Sequence, residues 1–196
     1  DCTLPVQPFN SYFTGGTLKD ITQPGASSQK LDALDGFFSY RAPYRIWTGY
    51  NSMVLCTPVN LGNKVAGIRW YELRQDNTTK VWSVYQQGTY GPADGVSRWT
   101  PSIAMDDNGS IGLAYAVTSS TSVYPGLRYT GRAASDPLGQ MTFAEQTAIE
   151  RRHKRQMDTT TTPPGTQLIR RNCERRECRS WFGIEEAESL FKFRWD

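Results

Sequence analysis

Histidine and cysteine are scarce in this chain, and their scarcity removes several kinds of chemistry at once. The single histidine is His153, and the four cysteines, Cys2, Cys56, Cys173 and Cys178, are scattered with no C-x-x-C pair. No disulfide framework is expected from that spacing, and a Cys/His zinc site would need ligands from both ends of the chain. No metal and no cofactor is therefore expected. Ser-His-Asp or Cys-His catalysis would have only His153 as its base. No G-x-x-x-x-G-K-[ST] loop occurs and no G-x-G-x-x-G opens a helix, so nucleotide phosphates have no cradle. No run of about 18 apolar residues exists, and no membrane span is expected. The chain lacks an initiator methionine, and Asp1-Cys2-Thr3-Leu4-Pro5 carries no basic region followed by an apolar one. It is expected to be a processed or truncated piece from which any signal peptide is missing.

What is present points to β structure. Of 196 residues, 12% are aromatic, 17 are glycine and 11 are proline, with many Thr, Ser and Tyr beside them. Ring-bearing and β-branched residues suit a pleated, half-buried surface, and Gly and Pro supply turns, so an all-β chain is expected. The length suffices for one core. The net charge of +3 conceals an asymmetry: residues 1–150 hold 11 basic and 12 acidic side chains, a net of −1, and residues 151–196 hold 11 and 7, a net of +4. The basic character belongs to the C-terminal tail.

Four regions follow from the turn signals. Residues 1–30 are Pro-, Gly- and Ser-rich, with a turn or loop at Gln23–Ser28, and read as a lead-in with a remnant strand. Residues 31–92 hold four strand candidates, Phe37–Tyr44, Ser52–Val59, Val65–Leu73 and Val81–Tyr90. Residues 93–149 hold four more, Ser102–Met105, Ile111–Thr118, Gly126–Thr130 and Met141–Ile149. Two successive four-stranded meanders match the period of β-propeller blades. The clearest unit is the hairpin Arg98–Tyr115, two apolar runs joined by Asp106-Asp107-Asn108-Gly109, where Asn-Gly favours a positive-φ turn matched to strand twist.

Several longer stretches carry a family resemblance: Leu31-Asp32-Ala33-Leu34, Val65-Ala66-Gly67-Ile68-Arg69-Trp70-Tyr71-Glu72-Leu73-Arg74, Val84–Tyr90, Arg98–Tyr115, and Tyr124–Arg132 with Ala134–Gly139. Over about residues 22–149 the chain resembles large secreted bacterial proteins that carry a sialidase-like (BNR or Asp-box) β-propeller, often beside Ig-like or other surface domains. The resemblance implies a partial β-propeller of about two blades, an extracellular or cell-surface location and further blades in a parent chain. It implies no particular reaction.

After residue 149 the pattern breaks off. One reading of residues 150–196 is an irregular or partly helical appendage, with helices over Leu168–Trp181 and Ile184–Phe193. The other is translation out of frame. Lys154-Arg155-Gln156-Met157 can be encoded AAA CGG CAG ATG, which in the next frame begins Asn-Gly-Arg-Trp, the turn and strand that the family resemblance leads one to expect. The run Arg170–Arg179 alternates basic with acidic residues and reads as a solvated helix or an artefact, so no nucleic-acid partner is expected.

The candidate sites are few. A calcium loop would need spaced oxygen ligands and a terminal Glu, which do not follow Gly109. Asp107-x-Gly109 fits an Asp-box, but Met105 and Ile111 stand where a hydroxyl and an aromatic belong, so a hairpin turn is the better reading. A sialidase needs an arginine cluster and a tyrosine paired with a carboxylate. Arg41, Arg45, Arg69, Arg98, Arg128 and Arg132 could supply the first. Tyr71-Glu72 fails as the second, because neighbours on a regular strand point to opposite faces. Loops expose what strands bury, so Trp47, Tyr50 and Tyr124, with Arg69, Arg98 and Arg128, are the ligand-binding candidates. The expected function is a non-catalytic module that binds a glycan or a surface protein. The alternative is part of a sialidase-like glycoside hydrolase whose site is completed by missing blades.

Overall fold

The computed structural model describes residues 3–13, 21–39 and 41–150, with 26–29 as backbone only. All of these fall in the unit spanning residues 1–153. The readings of Cys2, of the tail beyond Glu150, and of its basic run lie outside the described residues.

The described chain is all-β. A hairpin of β1 (Ile21–Gln23) and β2 (Ala26–Leu31) precedes two four-stranded antiparallel sheets. The first sheet is the meander β3 (Tyr44–Ile46), β4 (Tyr50–Asn60), β5 (Ala66–Asp76) and β6 (Trp82–Tyr90). The second is β7 (Ser97–Met105), β8 (Ile111–Thr118), β9 (Gly126–Arg132) and β10 (Gln146–Ile149), again in chain order. Among the described residues no helix is long and apolar enough to cross a membrane, which says nothing of strands.

Alternation places the core. Directly opposed residues share a face, so Val54, Cys56, Ile68 and Trp70 project from one side of the first sheet. They meet Ile103, Met105, Ile111, Leu113 and Val117 of the second. Cys56 is fully buried, and burial pushes its thiol up to about 12, so it packs as a small apolar group. A smaller cluster of Phe13, Ile21, Ala33, Ala66 and Trp99 ties the leading hairpin to the sheets. Arg45 Nε donates to Met105 O at 2.6 Å, a further link between the sheets. Gly88 on β6 lets the 133–139 loop come close: Gly139 N donates to Gln86 Oε1 at 3.1 Å, and a Cβ on Gly88 would overlap Gly139 O.

The first strand of the first sheet is later and shorter than expected. Phe37–Tyr44 does not run as one strand, because Gly36 and Arg41 both take positive φ, 82° and 59°, and break the extension. Pairing along β4 is patched by Ser39 N to Cys56 O at 2.8 Å and Val54 N to Pro43 O at 3.2 Å before β3 begins at Tyr44. The expected turn or loop at Gln23–Ser28 tightens to Pro24-Gly25, and Ala26 already starts β2.

The Asp106–Gly109 turn differs in kind from the Asn-Gly expectation. Only Gly109 takes positive φ, at 86°. Gly109 N donates to Asp106 O at 3.3 Å, and Asp106 N to Ser110 O at 3.0 Å. The Asp106 carboxylate also accepts from Asn108 N at 2.9 Å and Ser110 N at 2.8 Å. This is the longer hairpin loop, a turn followed by a left-handed glycine. Among the described residues no group of His, Cys, Asp and Glu could hold a metal ion.

Candidate functional site

Two interruptions in strand pairing set the side chains that matter. On β6, Glu72 faces Gln86 and Leu73 faces Val84, so Tyr85 is an extra residue. On β7, Trp99 faces Ala116 and Ser102 faces Ala114, so Thr100-Pro101 oppose Tyr115 alone. Thr100 takes φ 45°, and Pro101 has no N–H to lose. The bulge reverses the alternation, and Arg98 therefore joins Ile103 and Met105 on the inner face.

At one end of the first sheet a ladder of rings and guanidinium forms. The β3–β4 turn closes with Trp47 N donating to Tyr50 O at 2.9 Å, helped by Gly49 at φ 95°. The β5–β6 turn clasps it: Asn77 N donates to Gly49 O at 3.0 Å and Asn77 Nδ2 to Trp47 O at 3.1 Å. Asp76 anchors that second turn by accepting from Thr79 N and Thr78 N at 2.7 and 2.8 Å, and these bonds hold its carboxyl below the usual range. Trp47 then stacks on Tyr50 with centroids 6.0 Å apart and planes 21° from parallel. The guanidinium of Arg74 lies 4.2 Å from the Tyr50 centroid and 3.2 Å from that of Tyr85.

Arg74 is anchored on one side only. Its Nε donates to Glu72 Oε1 at 2.7 Å, and Gln86 Nε2 holds the other carboxylate oxygen at 2.6 Å. Among the described residues neither Nη of Arg74 meets an acceptor. Its side chain is 27% exposed, Tyr85 is exposed, and Trp47 and Tyr50 are half-buried. The Trp47 indole N–H is already used, donating to Ser52 Oγ at 2.8 Å.

Arg98 and Arg128 come together elsewhere, through Glu145 just before β10. Arg98 Nε and Nη2 donate to the two oxygens of Glu145 at 2.7 and 3.1 Å. Nη1 and Nη2 donate to the two oxygens of Asp94 at 3.0 and 2.8 Å, and Nη1 also to Val96 O at 2.9 Å. Those five bonds use all five guanidinium donors. Glu145 also accepts from Arg128 Nη1 at 2.8 Å and from Tyr115 Oη at 2.7 Å. Burial opposes the charge on Arg98, but the bonds it donates to Asp94 and Glu145 outweigh it and raise its pKa. Burial works against the Glu145 charge too, and Arg98, Tyr115 and Arg128 together hold its carboxyl below the ordinary value. Tyr115 is pushed up, first by burial and then by Glu145.

The remaining candidates stand apart. Arg69 is 3% exposed on the outer face of the first sheet. It donates to Thr89 Oγ1 at 3.1 Å and, by a short bond, to Gln87 Oε1, lies 5.1 Å from the Tyr71 centroid, and forms no ion pair among the described residues. Its Nε has no hydrogen-bond partner among the described residues. Tyr71 and Glu72 diverge as strand neighbours do, Tyr71 toward Phe38 and Arg69, Glu72 toward Arg74. Tyr124 is half-buried in the β8–β9 loop, with no ring contact to the ladder among the described residues.

The structure thus joins Trp47 to Tyr50, and Arg98 to Arg128, and leaves Arg69 and Tyr124 alone. Sequence reasoning missed Arg74, Tyr85, Asp94, Tyr115 and Glu145 as site members. The weak signal for Arg74 was its i,i+2 spacing from Glu72, which puts both on one strand face. No protein-family model, curated protein or solved structure matches the chain.

Proposed function

We propose that the chain is a non-catalytic binding module, part of an extracellular β-propeller, and that it holds a glycan or a protein surface against the Trp47–Tyr50–Arg74–Tyr85 ladder. One observation carries the reading: a partly exposed guanidinium fixed between two ring faces, with neither Nη meeting an acceptor among the described residues. Ring faces suit the apolar face of a sugar or an aromatic side chain, and the Nη hydrogens suit hydroxyl or carboxylate oxygens. The anchor on Glu72 and the two turns hold the donors in place before the ligand arrives, which lowers the entropy cost of binding. The propeller reading is supported by two consecutive four-stranded meanders packed against each other through one shared core.

The glycoside-hydrolase alternative is disfavoured by the other cluster. Tyr115 and Glu145 supply a phenol on a carboxylate beside two arginines, but Tyr115 and Arg98 are 2% and 1% exposed. Arg98 has no donor left for a substrate carboxylate. Its neighbourhood is a structural lock between β7, β8, β9 and the start of β10.

Glycan-array screening followed by titration of a hit tests the reading. Tyr85→Ala and Arg74→Lys should each weaken binding by about threefold to thirtyfold, the range of a ring–guanidinium contact. Wild-type protein should bind without releasing product. Unchanged affinity in both variants, or hydrolysis of a bound glycan, would overturn it.

A further inference from the structure

The Asp106–Gly109 turn takes no part in the ladder or in the lock around Arg98, yet it carries a reactive pair. In Asn108-Gly109 the backbone nitrogen of Gly109 can attack Cγ of the Asn108 side chain. The N–Cγ bond forms, the Cγ–Nδ2 bond breaks, and ammonia leaves with the proton from the attacking nitrogen. The five-membered imide takes up water and opens at either carbonyl, giving aspartate or isoaspartate. Water is the only co-reactant, and nothing is oxidised or reduced. Glycine suits the attacking position because no Cβ shields its nitrogen.

Six asparagines lie among the described residues, and the fold separates one from the rest. Asn10 Oδ1 accepts from Tyr12 N at 2.9 Å, and Asn51, buried in β4, donates from Nδ2 to Gln75 Oε1 at 3.3 Å. Asn60 Nδ2 donates to Tyr12 O at 2.9 Å while its Oδ1 accepts from Gly62 N at 2.8 Å. Asn77 Nδ2 is spent on Trp47 O at 3.1 Å. Asn63 and Asn108 are exposed, and their side chains make no hydrogen bond among the described residues. Asn63 precedes Lys64, whose Cβ stands beside the attacking nitrogen, whereas Asn108 precedes a glycine. The bond that ties Gly109 N, to Asp106 O at 3.3 Å, is the longest in its turn. A Cβ on Gly109 would meet only Ala134 Cβ, at 3.5 Å, so the surroundings of the pair are open.

We infer that Asn108 is a site of self-catalysed conversion to aspartate and isoaspartate in the folded protein. Ring closure requires Gly109 N to leave Asp106 O. An exposed hairpin end opens at little cost, so folding should slow the step by about tenfold at most. Isoaspartate adds a methylene to the main chain between residues 108 and 109, and so displaces Ser110 N from the Asp106 carboxylate that holds it at 2.8 Å. Met105 and Ile111, paired directly behind the turn, both belong to the core. The isoaspartate form should therefore unfold at a lower temperature. The inference does not depend on the ligand-binding reading.

Peptide mapping by mass spectrometry tests it, on the full chain incubated folded and in urea at about pH 7 and about pH 9. In the folded chain the Asn108 peptide should gain the mass of an amide-to-acid change about tenfold or more faster than peptides holding the other five asparagines. The rate should rise about tenfold per pH unit, as the deprotonated fraction of a very weakly acidic N–H does. Asn108→Gln, which would have to close a six-membered ring, should stay unconverted. The isoaspartate form, separated chromatographically, should melt below the Asn108→Asp variant, which has the same charge and an unaltered main chain. Conversion of Asn108 only in urea, an equal rate at another of the six in the folded chain, or an isoaspartate form that melts with Asn108→Asp would each overturn the inference.

Discussion

Arg74 on the first sheet and Arg98 on the second both sit among tyrosines and carboxylates, yet their circumstances are opposite. Arg98 is buried and meets two carboxylates and a backbone carbonyl, so none of its five donors remains. Arg74 is partly exposed, held by one carboxylate at Nε and by two ring faces, and its Nη groups meet no acceptor among the described residues. A guanidinium is recruited to structure or to binding by how many acceptors the fold has already brought to it. Tyrosines follow the same division. The hydroxyl of Tyr115 is used inside the protein, whereas the ring of Tyr85 faces outward.

Removing the saturated arginine should be the most damaging change. Arg98→Ala leaves Glu145, and the exposed Asp94 ahead of β7, without their shared cation. It should cost about 1.5–3 kcal/mol in denaturant unfolding, the scale of lost hydrogen bonds to charged groups, since Glu145 keeps Arg128 and Tyr115 as partners. A loss below about 1 kcal/mol, the scale of an exposed pair, would erase the contrast with Arg74.

Acid should act on the same cluster next. The folded state holds the Glu145 carboxyl below its ordinary value of 4.5, so the stability from its charged form is full above the unfolded value. That contribution is lost as pH falls through the lower, folded value. Asp94 is lowered as well, chiefly by its hydrogen bonds from Arg98. Stability measured by urea unfolding from neutral pH down to about pH 3 should therefore fall at the acid end. Glu145→Gln should be less stable at neutral pH and show a shallower acid slope. An unchanged slope would mean that Glu145 does not carry this effect.

The smallest change is expected at the ladder. Tyr85→Ala removes an exposed ring that makes no side-chain hydrogen bond among the described residues, and should cost less than about 1 kcal/mol of stability while weakening ligand binding. A variant destabilised as much as Arg98→Ala would make the ladder a structural element and remove its distinction from the lock.

The strands were legible where alternation and turn residues agree. Ile111–Thr118 is read to the residue, and Ser52–Val59 lies inside β4, because each has regular burial on one face and a glycine-containing turn beside it. β3 escaped because Phe37 and Phe38 look like strand residues while Gly36 and Arg41 turn the backbone away. The site was less legible. Trp47 and Tyr50 sit at a turn whose Gly49 is visible in the sequence, but Arg74 looked like the start of the following break rather than a member of β5. Tyr85 was read as an ordinary strand residue. Its meeting with Arg74 depends on a bulge, and alternation assumes that bulges are absent.

By itself the sequence determined the all-β class and the two runs of four strands, since turn chemistry and side-chain alternation act over a few neighbouring residues. Tertiary structure decided which tyrosine meets which carboxylate and which arginine stays open. Tyr115 and Glu145 are 30 positions apart and Tyr50 and Arg74 are 24 apart. Contacts of that range depend on sheet register and on two bulges, and one residue of slip would send each of these side chains to the other face.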